Sequence, residues 1–197
     1  MADVSIRRAG QEDAAQVAEL VATAFAPLAA VSWLLPEPAV RPPIMTADFL
    51  ILVEHALKYG HIDVIDQGRA AAVWFDRTAE VPEPEDYDRR LVEACGEWAD
   101  RFRVLDELFE ANHPKEPHHH LALLAVDPAR QSGGLGTALL HHHHAKLDDG
   151  GTAAYLEASS PNSRDLYLRH GYELRETFAL PDGTKFWPMW RPPAASR

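Results

Sequence analysis

The sequence predicts an α/β (α+β) fold, a mixed central sheet of about six or seven strands flanked by helices. Three observations carry this. Short apolar runs alternate with helix-period segments through the second half of the chain. A turn with three glycines, Gly133, Gly134 and Gly136, joins one such run to a helix. Pro181-Asp182-Gly183 then separates two further runs and reads as a hairpin turn.

The elements follow in order. Residues 4–8 form a short strand, and a helix starts near Gln11, where Val17, Leu20, Val21, Ala24 and Phe25 recur at helical spacing. Four prolines make 36–43 an irregular loop before a helix over about 45–58. Residues 62–66 and 70–75 read as a hairpin across Gln67-Gly68. From Tyr87, the stripe Leu91, Cys95, Trp98, Phe102, Leu105 and Leu108 predicts one long helix, ended by Pro114 and Pro117. The apolar run 121–126 suits a buried central strand, followed by a helix from about Gly134 to Asp148. Gly150-Gly151 break that helix before a strand over 152–157. Pro161 opens a short helix ending near His170-Gly171, and 172–180 pairs with 185–190.

Length and charge set bounds. A chain of 197 residues fits one domain and buries about 70% of its unfolded surface. Thirty acidic against nineteen basic residues give a formal charge of −11, which repels a phosphate backbone and argues against nucleic-acid binding. The same charge either favours a cationic small molecule or serves solubility alone. No apolar run approaches the roughly 20 residues of a membrane span, and the N-terminus lacks a secretory pattern. Cys95 is the only cysteine, which excludes an intrachain disulfide; the cytoplasm is the expected compartment, for a monomer or a homodimer.

The segment from Val126 to Leu139 is the most informative. A strand, a glycine turn and a helix aim backbone N–H groups and the positive end of a helix dipole at one point, which makes an anion site. A Walker loop is excluded because no lysine separates Gly136 from Thr137, and a dinucleotide fingerprint because Leu139 stands where a third small residue belongs. What remains is Gln131-x-x-Gly134-x-Gly136, which resembles the acetyl-CoA turn of the GNAT superfamily of N-acetyltransferases. The order of elements over nearly the whole chain is similar to that superfamily. Three strings, His113-Pro114-Lys115-Glu116-Pro117, Ala71-Ala72-Val73-Trp74 and Leu156-Glu157-Ala158-Ser159-Ser160-Pro161, are distantly similar to its puromycin N-acetyltransferase branch.

The resemblance implies a splayed cleft between the fourth and fifth strands that takes acetyl-CoA as co-substrate. It places the pyrophosphate on Gln131, Ser132, Gly133, Gly134, Leu135, Gly136 and Thr137, with Arg130 either helping or remaining a surface residue. The pantetheine arm would run along Leu124, Ala125 and Val126 like an added strand, and a backbone N–H near Val126 would polarise the thioester carbonyl. Tyr167 matches the tyrosine that protonates the departing sulfur. Asn162, Ser163 or neither would meet the pantetheine, since Ser163 stands where that branch carries an asparagine and Asn162 is one position early.

Acyl transfer to an amine also needs a base, because an ammonium has no lone pair. Glu157, or His120 at the start of the central strand, are the candidates; alternation sets His118 and His120 on one face and His119 on the other. Phe25 and Trp33 lie where the superfamily places acceptor contacts. The run from His141 to His144 brings only His141 and His144 together, too few for a zinc site, so no metal is expected and the run reads as surface. The expected function is direct transfer to a primary amine of a small molecule. The alternatives are a protein lysine or N-terminal acetyltransferase, or a non-catalytic acyl-CoA sensor.

Overall fold

A computed structural model describes residues 5–65 and 68–193. Val4, expected to open the first strand, and Asp66 and Gln67, expected in the first hairpin, lie outside the described residues.

The strands β1 (Ile6–Arg8), β2 (Gly60–Ile65), β3 (Ala70–Asp76), β4 (His118–Val126), β5 (Ala153–Ala158), β6 (Glu173–Leu174), β7 (Phe178–Ala179) and β8 (Lys185–Arg191) build a mixed sheet. Its order is β1-β2-β3-β4-β5-β8-β6, with β7 also on β8. Every pairing is antiparallel except β4 with β5. The open mixed sheet and its flanking helices are the architecture expected from the sequence.

The helices are α1 (Ala14–Phe25), α2 (Ala29–Leu34), α3 (Arg41–Tyr59), α4 (Tyr87–Cys95), α5 (Ala99–Asn112), α6 (Leu135–Asp149) and α7 (Pro161–Arg169). One face of the sheet packs on α1, α3, α4 and α5 through Val17, Val21, Phe49, Leu91 and Phe102. The other packs on α6 and α7 through Leu139, Leu140, Leu147, Tyr167 and Tyr172. Arg191 clamps the end of α6 to β8, with two bonds of 2.8 and 2.7 Å to the Asp148 carboxylate.

Three differences from the expected elements have local causes. Pro42 and Pro43 fall in the first turn of α3, where a missing N–H costs nothing, so that helix begins inside the expected loop. The expected long helix from Tyr87 is two helices, because Gly96 adopts a left-handed φ of 54° between them. The expected strand over 172–180 is split into β6 and β7, which pair with different stretches of β8.

Candidate active site

The cleft begins with a one-residue irregularity. Val73 pairs with Leu123 and Trp74 with Leu121, so Ala122 is an extra residue in β4. Ala122 and Leu123 therefore both face the α1 and α3 side, while Leu124 and Val126 face α6. Such a bulge bends its strand. The parallel pairing of β4 with β5 ends at His120 and Tyr155, and the strands part beyond it. One edge of 121–126 is thus left without a strand partner, as a splayed cleft requires. A cavity of about 1270 Å³ occupies the gap and continues under α1, α3 and α5.

The glycine turn lies at one end. Ser132 and Gly134 have φ of 63° and 86°, and α6 starts at Leu135. The first intrahelical bond there runs from Ala138 N–H to Gly134 C=O, at 2.9 Å. The N–H groups of Leu135, Gly136 and Thr137 precede it and have no acceptor within the helix. A Cβ on Gly134 would meet nothing within 4 Å, so glycine is needed there for its φ. Gln131, Ser132, Gly134, Gly136 and Thr137 line the cavity. Arg130 and Gly133 are exposed beside it, and Leu135 is half-buried against the α6 core. Leu124 and Val126 also line the cavity, whereas the Ala125 side chain is buried in the opposite core, leaving only its backbone to the cleft edge.

Tyr167 reaches the cavity from α7 and is 7% exposed. Burial pushes its phenol well above the usual range. Its hydroxyl has no hydrogen-bond partner among the described residues. Ser163 is engaged in capping α7: its hydroxyl accepts from Ser160 N–H at 3.1 Å and donates to Ser160 C=O at 3.0 Å. Asn162 lines the cavity and is exposed, with no side-chain bond among the described residues. Of the two alternatives, Asn162 is the one free to meet a ligand.

The histidines of β4 divide as alternation requires. His119 turns to α6, where its Nδ1 lies 3.2 Å from His143 Nε2. His118 and His120 turn the other way. His120 Nε2 lies 2.9 Å from Glu157 Oε2, and His113 Nδ1 lies 3.7 Å from Glu157 Oε1. His118 Nε2 is in turn 3.1 Å from His113 Nε2. Burial opposes the Glu157 charge, but His120 and His113 together outweigh it and hold the carboxyl at about 2. His118 is pushed down to about 4, first by burial and then by the neighbouring imidazoles. His113, His120 and Glu157 all line the cavity. Both base candidates are therefore one hydrogen-bonded unit. His113 joins it from the loop after α5, which no spacing in the sequence could reveal.

The far part of the cavity has apolar walls that include Phe25, Leu28, Phe49, Phe102 and Phe109. Two carboxylates interrupt them. Asp48 on α3 is pushed up to about 7 by burial and by Asp106. Asp106 on α5 is also raised, chiefly by burial, although it accepts a 2.6 Å bond from the Tyr87 hydroxyl. Neither carboxylate stood out in the sequence. Of the two aromatic residues expected at the acceptor, Phe25 lies in the wall but Trp33 does not: α2 presents Ala30, Val31 and Leu34 to the cavity. Trp33 instead lies 5.6 Å from the Arg101 guanidinium, which donates to its carbonyl.

The expected surface run on α6 needs a correction as well. His141 is exposed, but His143 and His144 are 3% and 5% exposed, since the helix turns them onto the sheet. His144 Nε2 lies 3.0 Å from the Tyr172 hydroxyl.

Comparison with known proteins agrees with this geometry. Residues 110–191 match the acetyltransferase (GNAT) domain. A solved structure from Corynebacterium glutamicum, described as histone acetyltransferase HPA2 and related acetyltransferase, is 30% identical with a TM-score of 0.67, over 98% of both chains. The Drosophila melanogaster polyamine N-acetyltransferase, which forms N-acetylagmatine, shares the fold at 19% identity, with a TM-score of 0.66 over 96% of this chain and 100% of that one. The ribosomal-protein-S18-alanine N-acetyltransferase of Escherichia coli does so at 17% identity, with a TM-score of 0.57 over 99% and 97%. End-to-end similarity at 30% identity, on a sheet forked between β4 and β5, places the chain in the GNAT family of N-acetyltransferases.

Proposed function

We propose that the whole chain is one catalytic domain that moves an acetyl group from acetyl-CoA to a primary amine of a small molecule, directly, in a ternary complex. The observation that carries this is the continuity of the cavity. It runs from the glycine turn, past Tyr167, Glu157 and His120, into an apolar recess holding Asp48 and Asp106.

The residues present fit acetyl-CoA. The N–H groups of Leu135, Gly136 and Thr137 suit its pyrophosphate, and the unpaired edge of 124–126 suits its pantetheine amides. Asn162, exposed on the cavity wall, suits the same arm. Acetyl-CoA supplies the thioester carbon at which an amine forms its new bond.

The chain's own groups manage the protons. With Glu157 ionised, His120 gives its Nε2–H to that carboxylate and keeps a lone pair on Nδ1. His120 takes a proton from the acceptor ammonium, directly or through water, and so frees the nitrogen lone pair for attack on the carbonyl carbon. A backbone N–H near Val126 stabilises charge developing on the carbonyl oxygen. As the carbon–sulfur bond breaks, Tyr167 donates its phenolic proton to sulfur and regains one from solvent. The second nitrogen proton passes to solvent as the amide forms, and His120 releases the first one the same way. Buried Cys95, its thiol pushed up by burial and by Asp48 and Asp106, is unsuited to carry an acyl group.

The recess favours a small acceptor over a protein chain, because its aromatic walls and two carboxylates suit a cation on an apolar body. Thiol release from acetyl-CoA against puromycin, polyamines, arylalkylamines, amino acids and lysine peptides tests this. Turnover of a small amine supports it. Turnover of peptides alone would replace it with the protein-acetylating reading, and tight acetyl-CoA binding with no turnover would replace it with the sensor.

A further inference from the structure

A second cluster lies on the other face of the sheet, between β2 and α6. Asp63, in the middle of β2, is 2% exposed. Its Oδ1 lies 2.7 Å from His61 Nε2, and its Oδ2 faces His143 Nδ1 at 3.8 Å. Neither Asp63 Oδ2 nor His143 Nδ1 has a hydrogen-bond partner, and both atoms are buried. Two facing groups are thus left bare at a separation too long for a hydrogen bond and too short for an intervening water.

The surroundings fix the imidazole in this pose. The His143 ring is stacked on Trp74, with centroids 4.0 Å apart and planes 9° apart. Its Nε2 lies 3.2 Å from His119 Nδ1, and His119 Nε2 lies 3.5 Å from Asp76 Oδ1. A neutral ring donates through one nitrogen only, so a cation at Nδ1 selects the tautomer in which His143 Nε2–H donates to His119 Nδ1. In that tautomer His143 Nδ1 and Asp63 Oδ2 offer two lone pairs to one ion.

We propose that His61, Asp63 and His143 form a site for a divalent transition-metal ion, Zn²⁺ by its donor set, that fastens β2 to the helix carrying the acetyl-CoA turn. The ligand atoms of all three lie within 4.8 Å of one another. In a tetrahedral zinc site with bonds near 2.1 Å, ligands stand about 3.4 Å apart, so the 3.8 Å between His143 Nδ1 and Asp63 Oδ2 closes slightly and the 2.7 Å between His61 Nε2 and Asp63 Oδ1 opens. Two imidazoles and a carboxylate suit zinc, whereas magnesium and calcium prefer all-oxygen sets. His142 Nε2, 3.8 Å from Asp63 Oδ1, or a water completes the fourth position. None of these residues lines the cavity, so the site is separate from acetyl transfer.

The test uses untagged full-length protein, stripped with a chelator, re-equilibrated with Zn²⁺ and passed through a desalting column. Elemental analysis should find about one zinc per chain, and the melting temperature should rise with zinc. His61→Gln, at a partly exposed position, and Asp63→Asn should each weaken zinc binding about 100-fold or more, while Glu157→Gln retains it. No retained zinc in the wild type would overturn the proposal. So would retention unchanged in both His61→Gln and Asp63→Asn, or loss in Glu157→Gln, which would move the metal to the His113, His120 and Glu157 group.

Discussion

His120, in the last rung that joins β4 to β5, sets its Nε2 2.9 Å from Oε2 of Glu157, two residues beyond that rung. The contact puts an ionised carboxylate and an imidazole where the cleft opens, and in the proposed reaction the two work as one base. Glu157→Gln should lower kcat/KM by about 100-fold, with acetyl-CoA affinity changed little. Equal activity in the two proteins would assign proton removal to another group.

Tyr167→Phe should lower kcat by about 100-fold and leave the melting temperature within a few degrees of wild type. The stability expectation follows because the hydroxyl makes no bond among the described residues, so its removal breaks none. Calorimetric titration of CoA checks that the cofactor site survives. Undiminished turnover would remove the acid role.

Asp48→Asn should stabilise the unliganded protein at pH 8 and leave it unchanged near pH 4. The wild-type carboxyl titrates at about 7 in the folded chain, well above its ordinary 3.8. The folded state therefore resists ionisation, and the wild type loses stability as pH rises from about 4 to 7. Allowing for partial exposure, the gap above neutrality is on the order of 2 kcal/mol. The same variant should raise KM for a cationic acceptor. Melting curves across pH and acceptor kinetics check the two halves separately.

Gly134→Ala should cost about 1–2 kcal/mol and raise KM for acetyl-CoA. Open space surrounds the position, so the penalty comes from holding alanine at φ 86° rather than from a clash. Thermal melts and cofactor kinetics measure both effects. An unchanged KM would detach this turn from pyrophosphate binding.

Much of the fold was legible in the sequence because its signals are local. The glycine turn, the Pro181-Asp182-Gly183 hairpin and the alternation of His118 to His120 each depend on neighbours in the chain. The break at Gly96 was hidden because the stripe from Leu91 to Phe102 stays in phase across it: Leu91, Cys95 and Phe102 are all buried. What remained invisible depends on distant pairing. Asp48 and Asp106 meet only because α3 and α5 wall the same recess. The histidine run was judged on its own helix, where too few ligands converge, yet β2 brings Asp63 and His61 against it. Trp33 misled for a related reason, since helical phase, not nearness in sequence, decides which side of α2 meets the cavity.

The extra residue at Ala122 divides β4 into two halves of opposite parity. Before it, even-numbered side chains point to the α1 and α3 side; after it, odd-numbered ones do. A single-residue deletion there would turn Leu124 and Val126 away from α6 or rotate His118 and His120 out of reach of Glu157. The proposed cofactor edge and the proposed proton acceptor are thus kept on one strand by an odd count, which homologous or designed chains must preserve to hold both.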